Sequence, residues 1–233
     1  MNAIVTGTTK GIGSAIVKQL AAHNFNIVLC ARNQQELDAQ LAELREAYPK
    51  LRFYGMKADM ENMTDVKEFA KFSLKCLGSA DVLVNNAGLY IPSDVLQEEE
   101  SSLERQMKVN VYAPHYLSKF IAQSMKLKSA GHIFNICSIA SVKPVINAGS
   151  YSISKAALLS LSKVLRDALM PFGIKVTAIL PGATLTDSWA GTTLPSERFI
   201  APEDVASSII NCLQMSAGAN VEEIIIRPLK GEI

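Results

Sequence analysis

Two groups of residues in this chain have types and spacing that could do chemistry. Tyr151 and Lys155 stand four apart in Y-S-I-S-K, a spacing that puts both on one helix face. A phenol titrates near pH ~10 and is a poor base at neutrality. An ammonium roughly 5 Å away, at an effective dielectric of about 20, favours the phenolate by about 3 kcal/mol, or about two pKa units. That would bring a tyrosine into range for moving a proton to or from a substrate oxygen. By itself such a pair is common, with the tyrosine packed and the lysine solvated. Ser138, in N-I-C-S-I-A-S, directly follows an apolar run. At the carboxyl edge of a parallel sheet, where α/β proteins bind ligands, its hydroxyl could hold a carbonyl oxygen beside Tyr151. Asn85-Asn86-Ala87-Gly88 would close the same edge, or serve only as a tight turn.

The second group is T-G-T-T-K-G-I-G, with Gly7, Gly11 and Gly13 after the first apolar run. A strand that turns sharply into a helix needs glycine φ values, and the missing side chains admit a pyrophosphate to the backbone. The helix N-terminus adds unpaired N–H groups and partial positive charge. The spacing is G-x-x-x-G-x-G, not the G-x-G-x-x-G of the usual dinucleotide fingerprint. The second strand ends V-L-C-A-R-N, so Ala31 stands where an acid would hold a ribose 2′-hydroxyl, and Arg32 follows. Arg32 and Lys10 could clamp a 2′-phosphate. This predicts NADP(H) in preference to NAD(H).

These residues must be held by elements that alternate along the whole chain. Strand patterns cover 2–6, 26–30, 51–57, 81–84, 132–137, 174–180 and 222–226. Helical patterns cover 11–23, 34–47, 63–76, 102–127, 150–170 and 202–215. Strands separated by helix-sized segments imply right-handed crossovers and a parallel sheet. The fold class expected is α/β: a Rossmann-type doubly wound sheet of about seven strands, helices on both faces, in one domain spanning 1–233. The irregular stretch 184–200, holding Trp189, is long enough to be a substrate lid. The three histidines, His23, His115 and His132, match no metal-ligand spacing, so no metal is expected. Glu98 to Glu100 read as a solvated helix N-terminus.

Seven of these elements, in order, resemble the short-chain dehydrogenase/reductase family over essentially the whole chain. They are Thr6-Gly7-x-x-x-Gly11-x-Gly13, Asp59, Asn85-Asn86-Ala87-Gly88, Asn110 in M-K-V-N-V, Ser138, Tyr151-x-x-x-Lys155, and Pro181-Gly182-x-x-x-Thr186. The resemblance implies that Tyr151 exchanges a proton with a carbonyl or alcohol oxygen and that Ser138 orients that oxygen. Lys155 would bind the nicotinamide ribose and lower the tyrosine pKa. Asn110, through a helix distortion, would hold a water in a proton relay. It further implies a cofactor cradle of Gly7, Thr9, Lys10, Gly11, Ile12 and Gly13, with Arg32 at the 2′-phosphate. Asp59 and Met60 would meet the adenine, and Asn86, Ala87 and Gly88 the adenosine side. Pro181, Gly182, Thr184 and Thr186 would meet the carboxamide, beside Tyr151 and Lys155. The chain departs from many members in its ending, V-E-E-I-I-I-R-P-L-K-G-E-I, which is similar to the NADP-dependent 3-hydroxy acid and serine dehydrogenase branch.

Composition sets the remaining bounds. Of 233 residues, 48% are hydrophobic but only 6% aromatic, which suits an aliphatic parallel-sheet core. A net charge of +1 argues against electrostatic binding to nucleic acid or an acidic membrane surface. No signal-peptide pattern or membrane-length apolar run is seen, and four scattered cysteines fit a reducing cytoplasm. The expected partner is a small carbonyl or alcohol substrate, with a second copy of the chain in a homodimer or homotetramer. The competing reading is a non-catalytic NADP-binding sensor or scaffold with the same fold.

Overall fold

In the computed structural model, which describes residues 1–233, seven parallel strands form one sheet. They are β1 (Asn2–Thr6), β2 (Asn26–Ala31), β3 (Phe53–Lys57), β4 (Val82–Asn85), β5 (Gly131–Ile136), β6 (Ile174–Pro181) and β7 (Glu223–Ile226). The helices are α1 (Gly11–Ala22), α2 (Gln34–Ala47), α3 (Met63–Leu77), α4 (Ser101–Met107), α5 (Ala113–Lys128), α6 (Gly149–Leu169) and α7 (Pro202–Leu213).

The strands read as continuous apolar runs because both faces are covered. Successive side chains point to opposite faces. Ala3, Val5, Ile27 and Leu29 pack with α1, α2 and α7, while Ile4, Val28, Cys30 and Leu83 pack with α3 and α5. A fully buried leucine such as Leu83 stabilises the fold by about 2 kcal/mol. Helix starts are written locally: the Asn33 side chain accepts from the Gln35 and Glu36 amides, and Asn62 from Thr64.

The order β3-β2-β1-β4-β5-β6-β7 reverses direction between β1 and β4. Chains leaving those two strands diverge and open a crevice at their carboxyl ends. Asn85, the first asparagine of its motif, is used to hold this region. Its Nδ2 donates to Ser118 Oγ at 3.0 Å and to Asn135 Oδ1 at 2.8 Å, and Asn135 Nδ2 donates to Ser162 Oγ at 2.8 Å. This buried ladder ties β4 and β5 to α5 and α6.

Two expectations change. The third strand starts at Phe53, not at 51. The single helix expected over 102–127 is three pieces, because a π-turn at Lys108–Tyr112 separates α4 from α5. Pro114 lacks the N–H that an α-helical register would direct at the Asn110 carbonyl, so the ladder has reason to shift there. The irregular segment 182–201 is pinned at its base: Leu185 N–H donates to Ile200 C=O and Ile200 N–H to Ala183 C=O, both at 2.9 Å.

Candidate active site

A cleft of about 1220 Å³ runs along the carboxyl edge of the sheet, lined by the loops after β1 through β6. That exceeds the roughly 300–1,000 Å³ of common small-ligand pockets and suits an extended ligand. The residues expected to act on substrate or to hold the cofactor line it except Asn110, while Thr6 and Asn85 of the flanking motifs lie behind it.

At the β1 end, the glycine loop is set by backbone bonds. Gly7 and Thr8 N–H groups donate to Cys30 C=O at 3.0 and 3.2 Å. Asn86 Nδ2 donates to Thr6 C=O at 3.0 Å and Gly7 C=O at 2.7 Å, so this asparagine braces the loop. Gly13 tolerates no side chain, since a Cβ there would lie 1.9 Å from Gly7 O. Lys10 occupies the N-cap of α1, and no side chain caps the helix, so its first amides remain free for an anion.

The two cations differ. Arg32 is exposed and has no ion-pair partner. Lys10 is paired with Glu36 at 3.1 Å and Asp187 at 3.4 Å, and Thr9 Oγ1 donates to Glu36 Oε2 at 3.1 Å. The hydrogen bond to Glu36 raises the Lys10 pKa, and the same bond lowers that of Glu36. Glu36 and Asp187 were not singled out from the sequence. They lie on α2 and in the 184–200 segment, and only folding brings both to Lys10. Gln40, also unmarked, is buried and bonds the loop through Thr8, with Nε2 donating to Thr8 C=O at 2.7 Å.

At the β5 end, Tyr151 sits in the first turn of α6, edge-on to Tyr90 with ring centroids 4.9 Å apart. Ser138 follows β5, where its Oγ accepts from Ala140 N–H at 3.1 Å. Lys155 is buried and donates from Nζ to Ile136 C=O at 2.8 Å, 5.7 Å from the Tyr151 ring centroid. The expected lowering of the Tyr151 pKa is not found. Burial pushes the phenol up to about 12, against a downward pull from Ser138. Burial likewise brings the Lys155 ammonium down to about 8. Desolvation is the largest cause at both groups, and it disfavours the charged form of each.

Asn110 stands behind the cleft wall, fully buried in the π-turn. Its Oδ1 accepts from Leu89 N–H at 2.8 Å, and its Nδ2 donates to Leu89 C=O and Ser154 Oγ, both at 2.9 Å. A Cβ on Gly88 would be 3.5 Å from both Asn110 Oδ1 and Lys155 Nζ, so the three converge on one spot. Trp189 packs on Phe199 at 5.0 Å and lines the cleft.

Glu98 corrects another expectation. It is not simply solvated: its carboxylate accepts a hydrogen bond from the Ser150 hydroxyl, and its Oε2 is buried without a partner. Helix α4 begins only at Ser101. His132 is buried against Phe134 and bonded to Thr177 Oγ1 at 2.8 Å, with burial holding its pKa down at about 3. No three His, Cys, Asp or Glu side chains converge as a metal site, and no helix is long and apolar enough to cross a membrane.

A doubly wound parallel sheet with Tyr151, Lys155 and Ser138 in one cleft with a glycine-rich strand-to-helix loop has the features of a dinucleotide-fold dehydrogenase class. The short chain dehydrogenase family pattern matches residues 1–195, and the chain belongs to that family. It is 31% identical over 227 residues to an uncharacterized oxidoreductase of Staphylococcus saprophyticus, covering 97% of each. It is 29% identical over 227 residues to an uncharacterized oxidoreductase of Staphylococcus aureus, covering 97% of this chain and 96% of the relative. Among solved structures, it superposes with a TM-score of 0.91 at 25% identity on an alcohol dehydrogenase from Thermococcus sibiricus complexed with 5-hydroxy-NADP, covering 100% and 98% of the two chains. L-sorbose reductase from Gluconobacter frateurii, complexed with NADPH and L-sorbose, gives 0.90 at 26% identity, covering 97% and 95%.

Proposed function

We propose that this chain is an NADP(H)-dependent oxidoreductase that interconverts a carbonyl and a secondary alcohol on a small molecule, with Tyr151 exchanging the proton. The observation that carries this reading is a single cleft with Tyr151, Ser138 and Lys155 at one end and the phosphate loop at the other. The residues fit the cofactor: the Gly7–Gly13 contact leaves backbone open to a pyrophosphate, the α1 N-terminus is uncapped, and Arg32 is free for a 2′-phosphate. When bound, the nicotinamide supplies or accepts the hydride.

The chain's own residues do the rest. The first amides of α1, with Gly7, Thr9, Gly11, Ile12 and Gly13, bind the pyrophosphate. Lys10 and Arg32 hold the 2′-phosphate, and Asp59, Met60, Asn86, Ala87 and Gly88 line the adenosine side. Pro181, Gly182, Thr184 and Thr186 orient the carboxamide. Ser138 positions the substrate oxygen, and Tyr151, protonated at neutral pH because burial raises its pKa, donates to it during reduction. Lys155 bonds the ribose, and Asn110, tied to Leu89 and Ser154, braces the wall and holds a water of the proton relay. The residues 1–233 act as one domain with 184–200 as lid, in a cytoplasmic homodimer or homotetramer. The test is Tyr151→Phe: hydride transfer should be lost while NADPH binding stays within about twofold. Retained turnover would remove the mechanism.

A further inference from the structure

The cleft wall beside Ser138 contains a residue that no motif marks. Cys137 N–H donates to Ile179 C=O at 2.8 Å, so the strand ends carrying Ser138 and Gly182 are neighbours. Gly182 N–H in turn donates to Ile226 C=O at 2.8 Å, which places β7 beside them. After β7 the chain turns back, closed by Gly231 N–H to Pro228 C=O at 3.0 Å. The turn lays Glu232 over Gly182. Its Oε1 accepts from Arg227 Nε at 2.8 Å, and its Oε2 accepts from Ala183 N–H at 3.3 Å. A Cβ at position 182 would lie 2.7 and 2.8 Å from the two carboxylate oxygens, so a side chain there would push Glu232 aside.

Glu232 lines the same cleft as Tyr151 and Ser138, whereas Arg227 does not. The cation therefore anchors the carboxylate from behind, and the carboxylate is what the cleft meets. The other acids lining the cleft are Glu36 on α2, Asp59 after β3 and Asp187 in the 184–200 segment. A carboxylate offers about four acceptor positions; two are used by Arg227 and Ala183. The remaining ones can accept from a ligand. A fixed acceptor-only anion selects donors and repels anions, both by attraction and by penalty against the wrong substrate.

We propose that Glu232 is a specificity-determining residue of the substrate end, selecting carbonyl compounds that carry hydroxyl or ammonium donors near the reacting carbon and rejecting carboxylate or phosphate esters there. This rests on the carbonyl/alcohol reading of the cleft. It runs against the 3-hydroxy acid class to which the chain's ending is similar.

The experiment compares the native chain with Glu232→Gln and Glu232→Ala on three matched substrates: a polyhydroxy ketone, a keto acid and a plain ketone. The kcat/KM for the first two is divided by that for the plain ketone. Calorimetry on the NADPH complex measures binding of the corresponding polyol and hydroxy acid, which needs no turnover. Glu232→Gln should shift the polyhydroxy-to-acid ratio about tenfold toward the acid, in kinetics and in calorimetry alike. An unchanged ratio in both variants, or an equal loss on all three substrates, would overturn the proposal in favour of a structural tether. No turnover of any substrate by the native chain, with NADPH still bound, would instead overturn the redox reading and this inference with it.

Discussion

The two ends of the cleft are built from opposite materials. Under β1 and β2 lie exposed charges, with Lys10 shared between Glu36 and Asp187 and Arg32 unpaired. Under β5 and α6 lie enclosed groups: Lys155 is 4% exposed and Asn110 fully buried. At the first end pKa values move through neighbours, and at the second through desolvation. Exposed pairs gain little and exchange partners readily. Enclosed polar groups are costly to hold and costly to change. On the proposed function, substitutions at the first end should therefore adjust cofactor choice by degrees, and substitutions at the second should act on the chemistry all or none.

The largest test of that contrast is Tyr151→Phe, expected to lower kcat about a thousandfold, or about 4 kcal/mol in the barrier. Stopped-flow NADPH oxidation measures it, and a loss below tenfold would erase the distinction between the ends. Next comes a price in stability for enclosing Lys155. Its folded pKa of about 8 lies below the ordinary 10.5, so the unfolded chain binds the proton more tightly. Stability from this group is complete above pH ~10.5 and is lost as pH falls toward about 8. Between pH 7 and pH 10 the advantage of Lys155→Met over the native chain should shrink by about 2–3 kcal/mol. Urea unfolding at the two pH values reads this directly, and a constant difference would mean that desolvation does not govern this end.

Smaller effects are expected at the exposed end. Arg32→Ala should weaken NADPH binding about tenfold and leave NADH nearly unchanged, as followed by fluorescence titration. Equal losses for both cofactors would take Arg32 out of 2′-phosphate recognition. The least effect is expected for Glu36→Gln, which frees Lys10 from one of its two acids. NADPH should bind about two- to threefold tighter at low salt, with the gain fading as salt screens the site. A weaker complex would mean that Glu36 holds Lys10 in place and does not compete for it.

Much of this was legible from residue order. Apolar runs of strand length, each followed by a helix pattern, point to a parallel sheet because few other packings bury both faces of such strands. The glycine-rich loop, Ser138, Tyr151 and Lys155 fall at strand and helix ends, so their meeting at one edge follows from the topology. The π-turn around Asn110 agrees with the helix distortion that the family resemblance implies, although local pattern does not mark it, since Pro114 near the start of a helical pattern is ordinary at an N-terminus. Glu98 was misread because an acidic run before a helix is ordinarily solvated, and its bond to Ser150 spans 52 positions.

What the sequence determined alone was the family, the order of the elements and the list of chemical groups, since these depend on local periodicity and on spacing along the chain. Tertiary structure decided the states of those groups. Tyr151 has a raised pKa because burial is a property of everything packed around it, not of the lysine four residues on. Glu36 and Asp187 meet at Lys10, and Glu232 returns over Gly182, because distant segments are folded together. Charges so placed act through space, and their separations exist only once the sheet has formed.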